Sequence, residues 1–128
     1  MNMAAKILVV DDELDIVTAL SIRLKALGYE VITAADGMAA LEVARKQNPD
    51  LILLDIMLPK LDGFRVCRML KFDEKYRHIP IIMITAKVTD ADKKMGEEVG
   101  ADVYIIKPFN PEELIGKVKQ LLEKKKES

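Results

Sequence analysis

Five short aliphatic runs punctuate the chain at similar intervals: Ile7 to Val10, Glu30 to Thr33, Leu51 to Leu54, Ile81 to Ile84 and Val103 to Ile106. Each has the length of one β-strand. Between them, apolar residues recur at helical spacing, as in Ile16, Leu20, Leu24 and Leu27, then Ala40, Leu41 and Ala44, then Phe64, Cys67 and Leu70. Strand and helix therefore alternate five times. Runs that are apolar throughout suit the central strands of a parallel sheet covered on both faces by helices, so the chain is expected to be α/β. Its 128 residues suffice for one core of this kind, and a second is not expected.

Boundary residues agree with this division. Gly28 follows the first helical stretch as a left-handed cap would, and Asn48-Pro49 stops the second. The last helix opens with Asn110-Pro111-Glu112-Glu113, where Asn110 can cap, Pro111 suits the first helical position and Glu113 can close a capping box. The fourth helical segment, Thr89 to Val99, is weakly specified, with only Ala91, Met95 and Val99 on one face and Gly96 costing about 1 kcal/mol relative to Ala. The terminal KKKES has no apolar residue to dock and is expected to fray or begin a linker.

Lys and Arg number 20 against 21 Asp and Glu, a formal net charge of −1. Such a chain has no global field to draw in phosphate backbones or anionic membranes, so nucleic-acid binding by this domain alone is not expected. Cys67, the single cysteine, cannot form an internal disulfide, and the start of the chain is not signal-like. Together these predict a reduced, cytoplasmic setting. Cys67 lies on an apolar helical stripe and reads as a small buried hydrophobe. The aliphatic runs, ILVV and LILL among them, fall far short of the roughly twenty residues a membrane span requires.

In open parallel sheets, ligands bind at the carboxyl ends of the strands. Asp11 and Asp12 follow the first run, Asp55 the third, Thr85 and Ala86 the fourth, and Lys107 stands near the end of the fifth. Three carboxylates, a hydroxyl and an ammonium would thus share one sheet edge. Two like charges about 4 Å apart repel by roughly 4 kcal/mol at an effective dielectric near 20, so the set calls for a further cation. Mg²⁺ fits, because it accepts a few carboxylates and a backbone carbonyl and keeps several waters. No His or Cys stands at these strand ends, which argues against zinc. With a cation in place, an ionised Asp beside a Lys and a hydroxyl can accept a phosphoryl group.

The stretches ILVVDDE, LILLDIMLPKLDG, IPIIMITA and GADVYIIKPF, in that order from about Ala5 to Leu122, resemble the receiver domain of bacterial two-component response regulators, the CheY-like superfamily. The resemblance implies a flavodoxin-like, doubly wound five-stranded parallel sheet of order 2-1-3-4-5, with five helices in a three-layer αβα sandwich. It also implies a single receiver domain over residues 1–128, with a core of about 5–122 and 123–128 as charged tail or linker start. By the same resemblance Asp55 would be the phosphoacceptor. Asp11, Asp12, Asp55 and the main-chain carbonyl of Met57 would hold Mg²⁺, with Mn²⁺ able to substitute, Asp12 touching the metal directly and Asp11 acting through water. Lys107, Thr85 and Ala86 would bind the phosphoryl group, with the Lys107–Pro108 bond cis. Thr85 and Tyr104 would form the switch.

The implied partners are a sensor histidine kinase or histidine phosphotransfer protein as donor, and a downstream protein or output domain on the surface of the fourth helix, fifth strand and fifth helix. Phosphorylation-dependent homodimerisation is a further implied property. The chain would be a signalling phosphoacceptor that assists its own phosphorylation and dephosphorylation, not an enzyme.

Other residues have plainer expected roles. Glu13 and Asp15 fall in a first helical turn and favour its dipole. Asp62 is a turn residue before Gly63, which permits the turn after the third strand, and Pro59 keeps that segment from continuing as helix. His78 is an exposed loop residue. Met57 and Lys87 flank the site where water would attack an acyl phosphate, and their shielding predicts a lifetime of minutes or longer. A flavodoxin-type electron carrier would need a Ser/Thr/Gly-rich loop where this chain has DDELD. A haloacid-dehalogenase-like phosphatase would need Asp-x-Asp, where Asp11-Asp12-Glu13 offers Asp-x-Glu, and a cap insertion. The intact acids, Thr85 and Lys107 argue against a degenerate receiver used only for docking.

Overall fold

The computed structural model describes residues 4–86 and 89–127. Its elements run β1 (Lys6–Val10), α1 (Leu14–Ala26), β2 (Glu30–Ala34), α2 (Gly37–Gln47), β3 (Leu51–Asp55), α3 (Gly63–Lys71), β4 (Ile81–Thr85), α4 (Asp90–Glu98), β5 (Val103–Ile106) and α5 (Pro111–Glu127). The five strands are all parallel, in the order β2-β1-β3-β4-β5, as the resemblance implied.

Side chains alternate across a strand, so each fully apolar run supplies both faces of the sheet. Leu8, Val10, Ile52, Leu54, Ile81 and Met83 meet Ala40, Leu41 and Ala44 of α2 and Val66, Cys67 and Leu70 of α3. Ile7, Val9, Leu51, Leu53, Ile82 and Ile84 meet Leu20 and Leu24 of α1 and Leu114 and Val118 of α5. Burying one such Leu or Ile stabilises the fold by roughly 1.5–3 kcal/mol. The strands at the sheet's margins, β2 and β5, are only partly covered, which is why β2 tolerates Glu30 and Thr33.

Register sets the functional edge. Val10 pairs with Leu54, so the next residues on these neighbouring strands, Asp11 and Asp55, emerge level with each other. Asp55 pairs with Ile84 and Thr85 with Ile106, which brings Thr85 and Lys107 to the same edge. Because β2 lies on one side of β1 and β3 on the other, the winding reverses at β1, the place where such sheets open a crevice.

The boundary residues act largely as expected. Gly28 has φ +94° and Asn48, which caps α2, has φ 47°. Asn110 Oδ1 accepts the Glu112 N–H at 2.9 Å as α5 begins. Helix α5 runs through Glu127. One expectation is corrected. On α4 the inward residue is Gly96, with Val99 buried just beyond, while Ala91 and Met95 are exposed. The periodic pattern counted apolar side chains, but the residue that approaches the sheet has none. Helix α4 also has a reciprocal cap that the pattern did not reveal: Thr89 Oγ1 accepts the Asp92 N–H, and Asp92 Oδ2 accepts the Thr89 N–H, each at 3.1 Å.

Candidate functional site

The edge formed by the carboxyl ends of β1, β3, β4 and β5 carries nearly all of the fold's buried polarity. Among the described residues the buried polar or charged ones are Asp11 (5% exposed), Asp55 (4%) and Thr85 (1%). Asp12 is exposed at the same edge, and Asp11, Asp12 and Asp55 each offer a carboxylate oxygen within 4.8 Å of the others. These are hard oxygen donors, a set that suits a small divalent cation.

Lys107 reaches into the same cluster. Its Nζ donates to Asp11 Oδ2 at 2.9 Å, to Glu13 Oε1 at 3.0 Å and to Asp55 Oδ2 at 3.4 Å. Its backbone N–H donates to the Thr85 carbonyl at 2.7 Å, and the Lys107–Pro108 bond is cis. Burial alone would pull the Lys107 pKa down, but Asp11, Glu13 and Asp55 together hold it above the ordinary lysine range. The ammonium therefore stays charged.

Glu13 requires a correction. It was expected to serve only the helix dipole, yet its side chain makes no cap hydrogen bond at the start of α1 and instead pairs with Lys107. The run of three acids after β1 was the available signal, but its partner lies 94 residues away. Asp15 does fall in the first turn of α1, as expected.

Asp55 is held lightly. Oδ1 accepts the Met57 N–H at 3.3 Å and Oδ2 the Lys107 ammonium at 3.4 Å, both at the long end for such bonds. Burial first, and the charge of Asp11 second, push its pKa above the usual carboxylate value, against the pull of Lys107 and the Met57 N–H. Just past Asp55, a Cβ on Gly63 would run into the Asp55 carbonyl oxygen, so this turn needs glycine for space. Asp62 caps α3 by accepting the Arg65 N–H at 3.0 Å.

The family model described as the response regulator receiver domain matches residues 7–119. The chain belongs to that family. Its cluster of Asp11, Asp12 and Asp55 is consistent with the phosphoacceptor site of a receiver domain. The chain is 52% identical over 120 residues to the alkaline phosphatase synthesis transcriptional regulatory protein PhoP of Bacillus subtilis, a match covering 94% of this chain and 49% of that protein. The chain spans about half the length of the curated relatives it matches. Among solved structures, a CheY-like response regulator receiver domain protein of Methanospirillum hungatei superposes with a TM-score of 0.92 at 30% identity, covering 98% of each chain. The chemotaxis response regulator CheY4 of Vibrio cholerae gives 0.86 at 38% identity, covering 93% of this chain and 99% of that one.

Thr85 closes β4 and Ala86 is exposed beside it, while Met57 turns its side chain to solvent. Lys87 lies outside the described residues. Tyr104 points inward from β5 against the α2, α3 and α4 side of the core. Its hydroxyl is buried with no hydrogen-bond partner among the described residues, a condition that typically costs about 1–3 kcal/mol. Burial, then the charge of Asp92, raises its pKa. Cys67 is fully buried on the inner face of α3 with its thiol pushed up to about 12 by that burial, and His78 is exposed, both as expected. A cleft of about 530 Å³ opens beside Lys107, lined by Ile16, Leu20, Ala86, Pro108 and Phe109 among others. Among the described residues no helix is long and apolar enough to cross a membrane.

Proposed function

We propose that the chain accepts a phosphoryl group on Asp55 from a phosphohistidine of a sensor histidine kinase or histidine phosphotransfer protein, in a cytoplasmic phosphorelay. The observation that carries this reading is the meeting of Asp11, Asp12, Asp55 and Lys107 at one sheet edge. An Asp55 oxygen attacks phosphorus in line, the P–N bond breaks, and its electron pair stays with the donor's imidazole nitrogen, which takes up a proton. The product on this chain is an acyl phosphate.

Asp11, Asp12, Asp55 and the Met57 carbonyl form the proposed Mg²⁺ site, with Mn²⁺ able to substitute. The bound cation would supply positive charge to the transferring phosphoryl oxygens. Lys107 already stands within reach of the Asp55 carboxylate and contributes the second positive charge, while Thr85 and the Ala86 N–H complete the donor set. The largely apolar cleft beside Lys107 gives the donor protein a surface next to the acceptor.

The new dianion draws Thr85 toward it, Tyr104 moves into the vacated space, and the surface of α4, β5 and α5 changes for a downstream protein, an output domain or a second copy of the chain. Met57 and Lys87 shield the acyl phosphate, for a lifetime of minutes or longer. The test is intact mass after incubation with Mg²⁺ and acetyl phosphate. One added phosphoryl group in the native protein and none in Asp55→Asn is the expected result, and no gain at any donor concentration overturns the reading. A chase in Mg²⁺ without donor then times the loss of the label, and loss within seconds refutes the shielding.

A further inference from the structure

The loop from β3 to α3 contains two three-residue turns. The Leu58 N–H donates to the Ile56 carbonyl at 3.0 Å across Met57, and the Leu61 N–H donates to the Pro59 carbonyl at 2.8 Å across Lys60. The second turn has the rare, strained hand, because Lys60 has φ 68°. A residue other than glycine keeps such a conformation only where its surroundings hold it there.

What holds it is the first turn of α2. The Gly37 N–H, which has no acceptor within its own helix, donates to the Pro59 carbonyl at 3.3 Å. A Cβ at position 37 would stand 2.7 Å from the carbonyl carbon and from the Cβ of Leu61, and closer still to the Leu61 carbonyl oxygen. Gly37 has no positive φ, so it is glycine for space. By contrast, a Cβ on Gly96 of α4 would meet a side chain, the Tyr104 ring at 3.0 Å, and one on Gly116 of α5 would meet nothing within 4 Å. The Lys60–Asp36 ion pair, 3.6 Å long, spans the same contact as Gly37, but Lys60 is largely exposed and pairs of that kind contribute little. The backbone approach is what fixes the loop.

Resting on the Mg²⁺ site proposed above, in which the Met57 carbonyl is a ligand, we infer that Gly37 is a positioning residue for that cation: without a side chain, it lets the first turn of α2 press on Pro59 and Leu61 and so hold the loop in the form that presents the Met57 carbonyl.

A push at Leu61 reaches Met57 because the loop is pinned at both ends. Before it, Asp55 closes β3 and its Oδ1 accepts the Met57 N–H at 3.3 Å. After it, the Gly63 N–H donates to the Ile56 carbonyl at 2.8 Å, and Gly63 lies too near the Asp55 carbonyl to give way. Between them the Pro59 ring locks its own φ, and Leu58 and Leu61 pack on the core. The displacement therefore passes across Pro59 to the turn at Met57. Mg²⁺ demands near-ideal octahedral geometry, so a shifted carbonyl costs affinity. Coupling is reciprocal, and bound Mg²⁺ steadies the Gly37–Pro59 bond by the same factor.

The experiment titrates Mg²⁺ alone into the full chain, stripped of metal, by calorimetry at a temperature where every variant is folded. Gly37→Ala should weaken Mg²⁺ binding about tenfold or more, the usual scale for a residue that orients a metal ligand without touching the metal. Ala44→Gly removes a buried methyl from the same helix about two turns further on; it should lower the melting temperature and leave Mg²⁺ affinity at the native value. Asp12→Asn should abolish binding. In the native protein, saturating Mg²⁺ should slow hydrogen exchange at the Gly37 amide about tenfold. The Asn48 amide at the far end of α2, bonded to the Ala44 carbonyl, should be unaffected.

Native affinity in Gly37→Ala, with binding lost in Asp12→Asn, overturns the role of Gly37 alone. Native affinity in Asp12→Asn overturns the cation site itself. An equal loss in Ala44→Gly shows that general weakening of α2 is the cause and overturns positioning. Should Gly37→Ala not fold, exchange in the native protein decides: equal slowing at Gly37 and Asn48, or none at Gly37, overturns the inference.

Discussion

The Lys107 ammonium stands 3.4 Å from Asp55 Oδ2, bridging a separation of 52 residues, while its shorter bonds go to Asp11 and Glu13. Among the described residues one cation thus serves three carboxylates, with Asp12 at the edge of the same cluster. Among those residues the cluster is short of positive charge.

Replacing Asp55 by Asn should stabilise the protein in the absence of Mg²⁺. Burial and then Asp11 raise the Asp55 pKa above its ordinary 3.8. A carboxyl whose pKa is higher in the folded than in the unfolded state binds its proton more tightly when folded. Its contribution is therefore fullest below pH 3.8 and is lost as pH rises through the raised folded value. Urea melts at neutral pH should show Asp55→Asn more stable by about 1–3 kcal/mol, the scale of one poorly met buried group, with the gap closing below about pH 3. A gap that widens on acidification would reverse the assigned sign.

Removing the cation should have the opposite effect. Lys107→Met leaves Asp11 and Asp55 buried without their ammonium, and breaking such a pair costs about 3–5 kcal/mol. The loss should be smaller when Asp55→Asn is combined with Lys107→Met, because one of the abandoned charges is gone. Equal losses in the two backgrounds, measured by denaturant unfolding, would mean that the Lys107–Asp55 contact carries no energy.

Mg²⁺ should raise the melting temperature. A ligand present at a hundredfold excess over its dissociation constant stabilises by about 2.7 kcal/mol. Chelation should reverse the shift. Asp12→Asn, which removes the exposed member of the cluster, should abolish most of it while leaving the metal-free melting temperature nearly unchanged. A full Mg²⁺ response in Asp12→Asn would exclude that carboxylate from the site.

Two glycine substitutions should differ in sign. A Cβ on Gly63 meets backbone atoms of Asp55 and Ile56, so Gly63→Ala should cost about 1–3 kcal/mol or more and slow phosphorylation by acetyl phosphate as Asp55 is displaced. Gly116→Ala meets nothing within 4 Å and should stabilise α5 by about 0.5–1 kcal/mol. Thermal melts of the two variants beside the native protein decide the matter.

The parts of this protein legible in its sequence are those set by local pattern and residue type. Aliphatic runs of strand length, separated by helical spacing, determined five strands and the helices between them, and in a parallel sheet that alternation already assigns Asp11, Asp12, Asp55, Thr85 and Lys107 to the carboxyl edge. The caps at Asn48 and Asn110 follow from the hydrogen-bonding habits of short polar side chains. The tertiary structure decided what depends on approach between distant segments. Register brought Asp11 level with Asp55, and Lys107 drew Glu13 away from the helix it begins. The inward turn of Tyr104 made Gly96, not Met95, the face of α4. Periodicity counts side chains along one helix, and it has no means of recording that a glycine lies inward because a ring from another strand fills the space where its side chain would be.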